Sequence, residues 1–232
     1  MIKGVLFDFS GTLFRNASTR LWLDGALDAL GVELPEPEAA ALAARLERAG
    51  ALPGGATPVE VPERLRGVWE ERDLDPARHR AAFTGLTQLA APLPDPRLAD
   101  TLYDRHMHPE SWQPYPDTET VLKELRRRGV PVAVLSNIAW DLRTVLRHHG
   151  VEQLVDAVVL SYEHDAKKPD PRLFRVACDA LGLPPQQVLM VGDDLTADAG
   201  ATALGCAFLL VDHLPVEQRP DALTAVLDRV NG

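Results

Sequence analysis

Short apolar, β-branched runs that each stop at polar residues constrain this chain more than any other feature. Ile2 to Phe7 runs into Asp8, Val132-Ala133-Val134-Leu135 into Ser136-Asn137, and Val188-Leu189-Met190-Val191 into Gly192-Asp193-Asp194, with Asp198 behind. A fourth run, Val158-Val159-Leu160, is followed by Lys167-Lys168-Pro169. Runs this short, bounded by turn residues, read as buried strands. After Pro116 they alternate with segments of helical spacing at about Asp117 to Arg128, Asp141 to His149, Pro171 to Leu181, Ala197 to Leu204 and Pro220 to Val230, and a last strand is expected from Cys206 to Val211. Such alternation predicts an α/β fold with a Rossmann-like parallel sheet covered on both faces. Ligands bind outside the carboxyl ends of such strands, which is where Asp8, Ser136 and Asp193 fall.

The stretch between the first strand and the rest is different. From about Asn16 to Pro114 the sequence is rich in Ala, Leu and Arg and is punctuated by Pro35, Pro53-Gly54-Gly55, Pro76, Pro92 and Pro94. Leu21, Leu23, Leu27 and Leu30, then Leu42 and Leu46, then Leu98 and Leu102 recur at helical spacing. We therefore expect a core of residues 1–15 and 115–232 with a helical insert at 16–114.

Bulk properties exclude several classes. With 46% hydrophobic and 25% charged residues the chain is globular, and it has no run of about 18 apolar residues that would span a membrane. A formal charge of −10 argues against nucleic-acid partners, whose phosphates require clustered Lys and Arg. No basic segment precedes an apolar leader at the N-terminus, where Asp8 interrupts the only apolar run, so a cytoplasmic location is expected. Cys178 and Cys206 have apolar neighbours and no metal-ligand spacing, and read as buried thiols.

Taken in order, Asp8-Phe9-Ser10-Gly11-Thr12, Ser136, Lys168 before Pro169, and Gly192-Asp193-Asp194 with Asp198 resemble the four motifs of the haloacid dehalogenase-like hydrolase superfamily, in its capped, phosphatase-like branch. The resemblance implies that the helical insert is a cap, that Asp8 is a nucleophile forming an aspartyl-phosphate, and that Ser136 and Lys168 complete the catalytic set. It further implies a Mg²⁺ site built from Asp8, the backbone carbonyl of Ser10, Asp193 and the neighbouring Asp194 and Asp198. Ser10, Gly11 and Asn137 are the substrate-binding candidates, and a small phosphorylated molecule is the expected partner. Oxygen-only ligands suit a hard divalent ion, and four carboxylates gathered at one sheet edge demand more positive charge than Lys168 provides.

One residue departs from the pattern. The family's phosphatases carry a second aspartate where this chain has Ser10, and a hydroxyl is too weak an acid to replace that general acid/base. Two other readings follow: a metal-independent dehalogenase, against which the Gly-Asp-Asp motif speaks, and an impaired relative that binds without turning over. A Schiff-base variant of the family chemistry needs a cap lysine; the lysines are Lys3, Lys123, Lys167 and Lys168, none of them in the insert. Several residues have plainer readings. His106 and His108, two apart on a helix, point different ways, His148 and His149 close a helix, and Trp22, Trp69 and Trp112 are packing residues. Trp140 is a candidate pocket wall, and Arg15 and Arg20 could meet an anion.

Overall fold

The computed structural model describes residues 1–230. In chain order it contains β1 (Gly4–Phe7), β2 (Phe14–Asn16), α1 (Thr19–Leu30), α2 (Glu36–Ala49), α3 (Glu63–Glu70), α4 (Pro76–Gln88) and α5 (Leu98–His106). These are followed by β3 (Trp112–Pro114), α6 (Thr118–Arg127), β4 (Val132–Ser136), α7 (Arg143–His148), β5 (Ala157–Leu160) and α8 (Ser161–His164). Last come α9 (Pro171–Ala180), β6 (Val188–Gly192), β7 (Ala207–Leu210) and α10 (Ala225–Arg229). Two compact units result: a sheet unit of Met1–Arg15 with the segment from Gln113 onward, and a helical unit of Asn16–Trp112.

The sheet unit is an α/β structure with five parallel strands in the order β5-β4-β1-β6-β7. Because β1 is central, with Phe7 opposite Val134 on one side and Val191 on the other, the residues that end β1, β4 and β6 meet at one edge. Leu6, Leu135, Val159 and Met190 pack with Leu173, Phe174, Ala177 and Cys178 of α9. Helix α9 starts there because Pro171 supplies the fixed first-turn φ and Asp170 accepts from the Arg172 N–H. Both cysteines are buried, Cys178 on α9 and Cys206 one residue before β7.

Three segments differ from the sequence expectation. Residues 198–204 form a 3₁₀ turn where a helix was expected; Thr202 Oγ1 bonds back to the Ala199 carbonyl, and Gly200 packs so close that a Cβ would lie 2.6 Å from Pro169 Cβ. Helix α7 starts at Arg143 because Asp141 Oδ1 accepts its N–H. At the C-terminal end Asp117 takes the N–H groups of Leu223 and Thr224, splitting the expected helix into a 3₁₀ turn at Ala222–Thr224 and a short α10.

In the helical unit, α1 begins where Ser18 accepts from the Leu21 N–H. Its buried face is Trp22, Leu23, Ala26 and Leu27, so Trp22 takes the core position that sequence spacing assigned to Leu21, which is exposed. That face packs on Leu42, Leu46, Leu98 and Leu102. A polar group of neutral side chains is buried beside a second cluster of Phe83, Leu86 and Tyr103. His79 Nδ1 lies 2.8 Å from Tyr103 Oη, and Asn16 Nδ2 lies 3.1 Å from His106 Nδ1. Among the described residues, no helix is long and apolar enough to cross a membrane.

Candidate active site

Asp8 follows the last ladder position of β1, its N–H donating to the Val191 carbonyl at 2.9 Å. The chain then turns sharply: Gly11 has φ +86° and donates to the Phe14 carbonyl at 2.7 Å, while Leu13 and Phe14 both donate to the Phe9 carbonyl. A positive φ favours glycine, and space demands it too, since a Cβ at Gly11 would collide with Asp193 Oδ2 and His213 Nδ1. Ser10 sits partly exposed in this turn, bridged to Phe14. Ser136 is buried at the end of β4, next to β1.

Lys168 brings the site together. Its buried ammonium donates to Asp8 Oδ1 at 2.6 Å and to Asp198 Oδ1 at 2.6 Å. The backbone that carries it is clasped by Asn137, whose Oδ1 accepts from the Lys168 N–H at 2.7 Å while Nδ2 donates to the Lys168 carbonyl at 2.9 Å. Asn137 therefore positions the lysine, and both of its amide ends are engaged in doing so. Lys167 lies next to it, only partly buried.

The acidic residues separate into two groups. Oxygens of Asp8, Asp193 and Asp198 lie within 4.8 Å of one another. Asp194 is outside that group: it is exposed, and its Oδ1 accepts from the Thr196 and Ala197 N–H groups at 2.6 and 2.9 Å, an Asx turn. Asp198 is buried and its Oδ2 accepts from the Asp194 N–H. Thr12 Oγ1 reaches Asp193 Oδ1 at 3.4 Å.

Burial is the main reason the Asp8 carboxyl is pushed up to about 8; the Asp198 and Asp193 charges push the same way, and Lys168 opposes them. For Lys168 burial pushes downward, but the Asp198 and Asp8 carboxylates outweigh it and hold the ammonium above its ordinary range. Three carboxylates thus face one ammonium, and a divalent cation would supply the missing charge. The donor set, carboxylate oxygens within reach of one another, fits a hard ion.

Two residues of the site, His213 and Arg219, carry no motif in the sequence. His213, in the loop after β7, places Nδ1 2.5 Å from Asp193 Oδ2. Arg219 is buried, donates to the carbonyls of Gly11 and Thr12, and stacks its guanidinium 3.2 Å above the Tyr115 ring. Both belong to the loop leaving the fifth parallel strand, which emerges at the same sheet edge as the other site residues; that topology was the available clue. Trp140 is buried with its ring edge-on to Phe9 at 6.3 Å. Arg20 is occupied by Asp24 and Glu36, and the Arg15 Nη1 is buried without a partner.

Comparison with known proteins identifies the family and the fold. The family profile for haloacid dehalogenase-like hydrolase matches residues 2–204. A phosphoserine phosphatase of Thermus thermophilus is 40% identical over 110 residues, 47% of this chain and 44% of the relative. Haloacid dehalogenase-like hydrolase domain-containing protein 3 of Mus musculus is 32% identical over 145 residues, covering 62% of this chain and 57% of the relative. The chain thus spans about half the length of these curated relatives. A crystal structure of a dehalogenase shares the fold with a TM-score of 0.69 at 21% identity, over 100% of this chain and 98% of that one.

Proposed function

The chain belongs to the haloacid dehalogenase-like hydrolases, and from that premise we propose that it is a magnesium-dependent phosphatase of small phosphorylated metabolites working through an aspartyl-phosphate on Asp8. The observation that carries this is the Lys168 ammonium bridging Asp8 and Asp198 inside a cluster of three carboxylates. Names of relatives such as phosphoserine phosphatase support the phosphoryl chemistry.

Asp8 Oδ attacks phosphorus, the ester P–O bond breaks, and the leaving oxygen departs as the anion or takes its proton from water, because Ser10 supplies no acid. Lys168 holds the nucleophile in place and offsets charge building on the transferring oxygens. The Ser136 hydroxyl, at the adjacent strand end, is the donor to a phosphate oxygen. Water then attacks the phosphorus of the aspartyl-phosphate, releasing inorganic phosphate and restoring the Asp8 carboxylate. Asp8, Asp193 and Asp198, with the Ser10 carbonyl as a further candidate, would hold Mg²⁺, which when bound neutralises phosphoryl charge.

Ser10 governs which substrates succeed. The carboxyl that usually serves as general acid/base contributes about 10²–10⁴-fold, so leaving groups that need no proton are favoured. Aryl and acyl phosphates should turn over faster than alkyl phosphates, and Ser10→Asp should raise turnover of the alkyl esters. A phosphate-ester screen with and without Mg²⁺, run beside a halide-release assay, tests the reading. Magnesium-dependent phosphate release supports it; halide release in metal-free buffer puts the dehalogenase reading in its place, and silence in both assays leaves a binding role.

A further inference from the structure

A cavity of about 250 Å³ lies wholly within the helical unit, lined by Asn16, Leu21, Trp22, Arg105, His108 and Ser111 among others. At about 30 Å³ per water it holds a solute of several heavy atoms, and exposed Leu21 and His108 at its lining leave it accessible. Its distinguishing feature is Arg105. The Nε is buried with no hydrogen-bond partner, and among the described residues the guanidinium makes neither an ion pair nor a side-chain hydrogen bond. A buried donor left unsatisfied is costly, and native structures satisfy the great majority of such groups.

The surroundings hold this guanidinium in place without pairing it. Gly25, in the interior of α1, lies directly beneath: a Cβ there would stand 2.7 Å from Arg105 Nε and closer still to Nη2 and Cζ. A helix-interior glycine is unfavourable relative to alanine, and here the missing side chain is what makes room. Ser111 Oγ donates to the Arg105 carbonyl at 2.7 Å, fixing its backbone. Asn16 spends its amide N–H groups on the Pro53 carbonyl and His106, and the Trp22 indole N–H goes to the Leu102 carbonyl. The open donors are therefore the guanidinium and the exposed His108 ring.

We propose that this cavity is a binding site for a small oxyanion, a phosphate or a carboxylate, held by the Arg105 guanidinium over Gly25. The planar fork of arginine matches either group with two parallel hydrogen bonds. Glu110, also in the lining, opposes the anion and limits the affinity.

Side-chain NMR of the full-length protein tests the inference. The Arg105 Nε–H resonance is identified by its absence in Arg105→Lys, and the Trp22 indole N–H serves as a second reporter. Inorganic phosphate and acetate are titrated separately at constant ionic strength against chloride. The expected result is a saturable shift of both reporters with one or both anions, the responding anion identifying the source chemistry. Arg105→Met should weaken the Trp22 response at least tenfold. Gly25→Ala, which favours the helix but displaces the guanidinium, should do the same should the first variant fold poorly, and Glu110→Gln should tighten binding severalfold. Shifts no larger than with chloride, or Trp22 responses unchanged in both variants, overturn the proposal.

Discussion

Lys168, Asp8 and Asp198 in the sheet unit and His79, His106, Tyr103 and Asn16 in the helical unit are all buried polar side chains, but the first group sets an ammonium against two carboxyls and the second sets imidazoles beside a phenol and an amide. In the sheet unit burial, with the Asp198 and Asp193 charges adding to it, pushes Asp8 up to about 8 against the pull of Lys168. In the helical unit burial pushes His79 down to about 3 and His106 well below its usual range, so neutral imidazoles pair with a phenol and an amide. Buried ions cost several kcal/mol each in desolvation even when paired, and a fold built for stability alone does better with neutral groups. On the proposed function, the contrast falls where stability would be given up for chemistry.

The signs of the two pH dependences are opposite. His79 has a folded value below its ordinary 6.5, so its contribution is intact above pH 6.5 and is lost as pH falls toward about 3. Asp8 has a folded value above its ordinary 3.8; its contribution is present below that value and is lost as pH rises through about 8. Acid should therefore loosen the helical unit, and alkali without a cation should loosen the sheet unit.

The sharpest way to break this contrast is Lys168→Met. It strands two buried carboxylates beside each other, so turnover should fall by at least about 10²–10³-fold and stability by about 3–5 kcal/mol, measured by phosphate release and urea unfolding. A variant as stable as the parent would mean the charges are not truly desolvated. Next, lowering the pH from 6.5 to 4 should cost the helical unit about 3 kcal/mol, at about 1.4 kcal/mol per unit. In a Trp140→Phe background, fluorescence of Trp22, Trp69 and Trp112 during urea unfolding reads this, and His79→Gln should make the profile shallower, with His106 carrying the remainder. Mg²⁺ at about 100 times its dissociation constant should add about 2.7 kcal/mol, seen as a rise in Tm at pH 8 that EDTA reverses and Asp193→Asn removes. The smallest effect is expected from Arg219→Lys, which keeps the charge but loses the fork: a loss of about 1–2 kcal/mol in stability and a lower kcat with little change in KM.

Strand ends were legible because a buried parallel strand needs an uninterrupted apolar run, and Asp8, Ser136 and Asp193 each stand where such a run stops. Lys168 was legible from its proline. Other parts carry no period to read. β2 and β3 are only three residues each, too short for alternation to register, and Asp194 and Asp198 are both plausible ligands in sequence until hydrogen bonding sends one to a turn and the other to Lys168. His213 and Arg219 lie in irregular backbone after the last strand, where position is decided by long-range contact. Leu21 and Trp22 show the same limit on a helix, since spacing gives a face but not which neighbouring residue centres it.

The contact between Arg219 and the carbonyls of Gly11 and Thr12 spans more than 200 positions of sequence. The turn that follows Asp8 is made long before the side chain that clamps it. At roughly 5–20 residues per second, the turn waits ten seconds or more for its clamp. During synthesis β1 must form without the part that fixes its following loop, and chains released short of residue 219 should fold their sheet yet leave that loop unclamped.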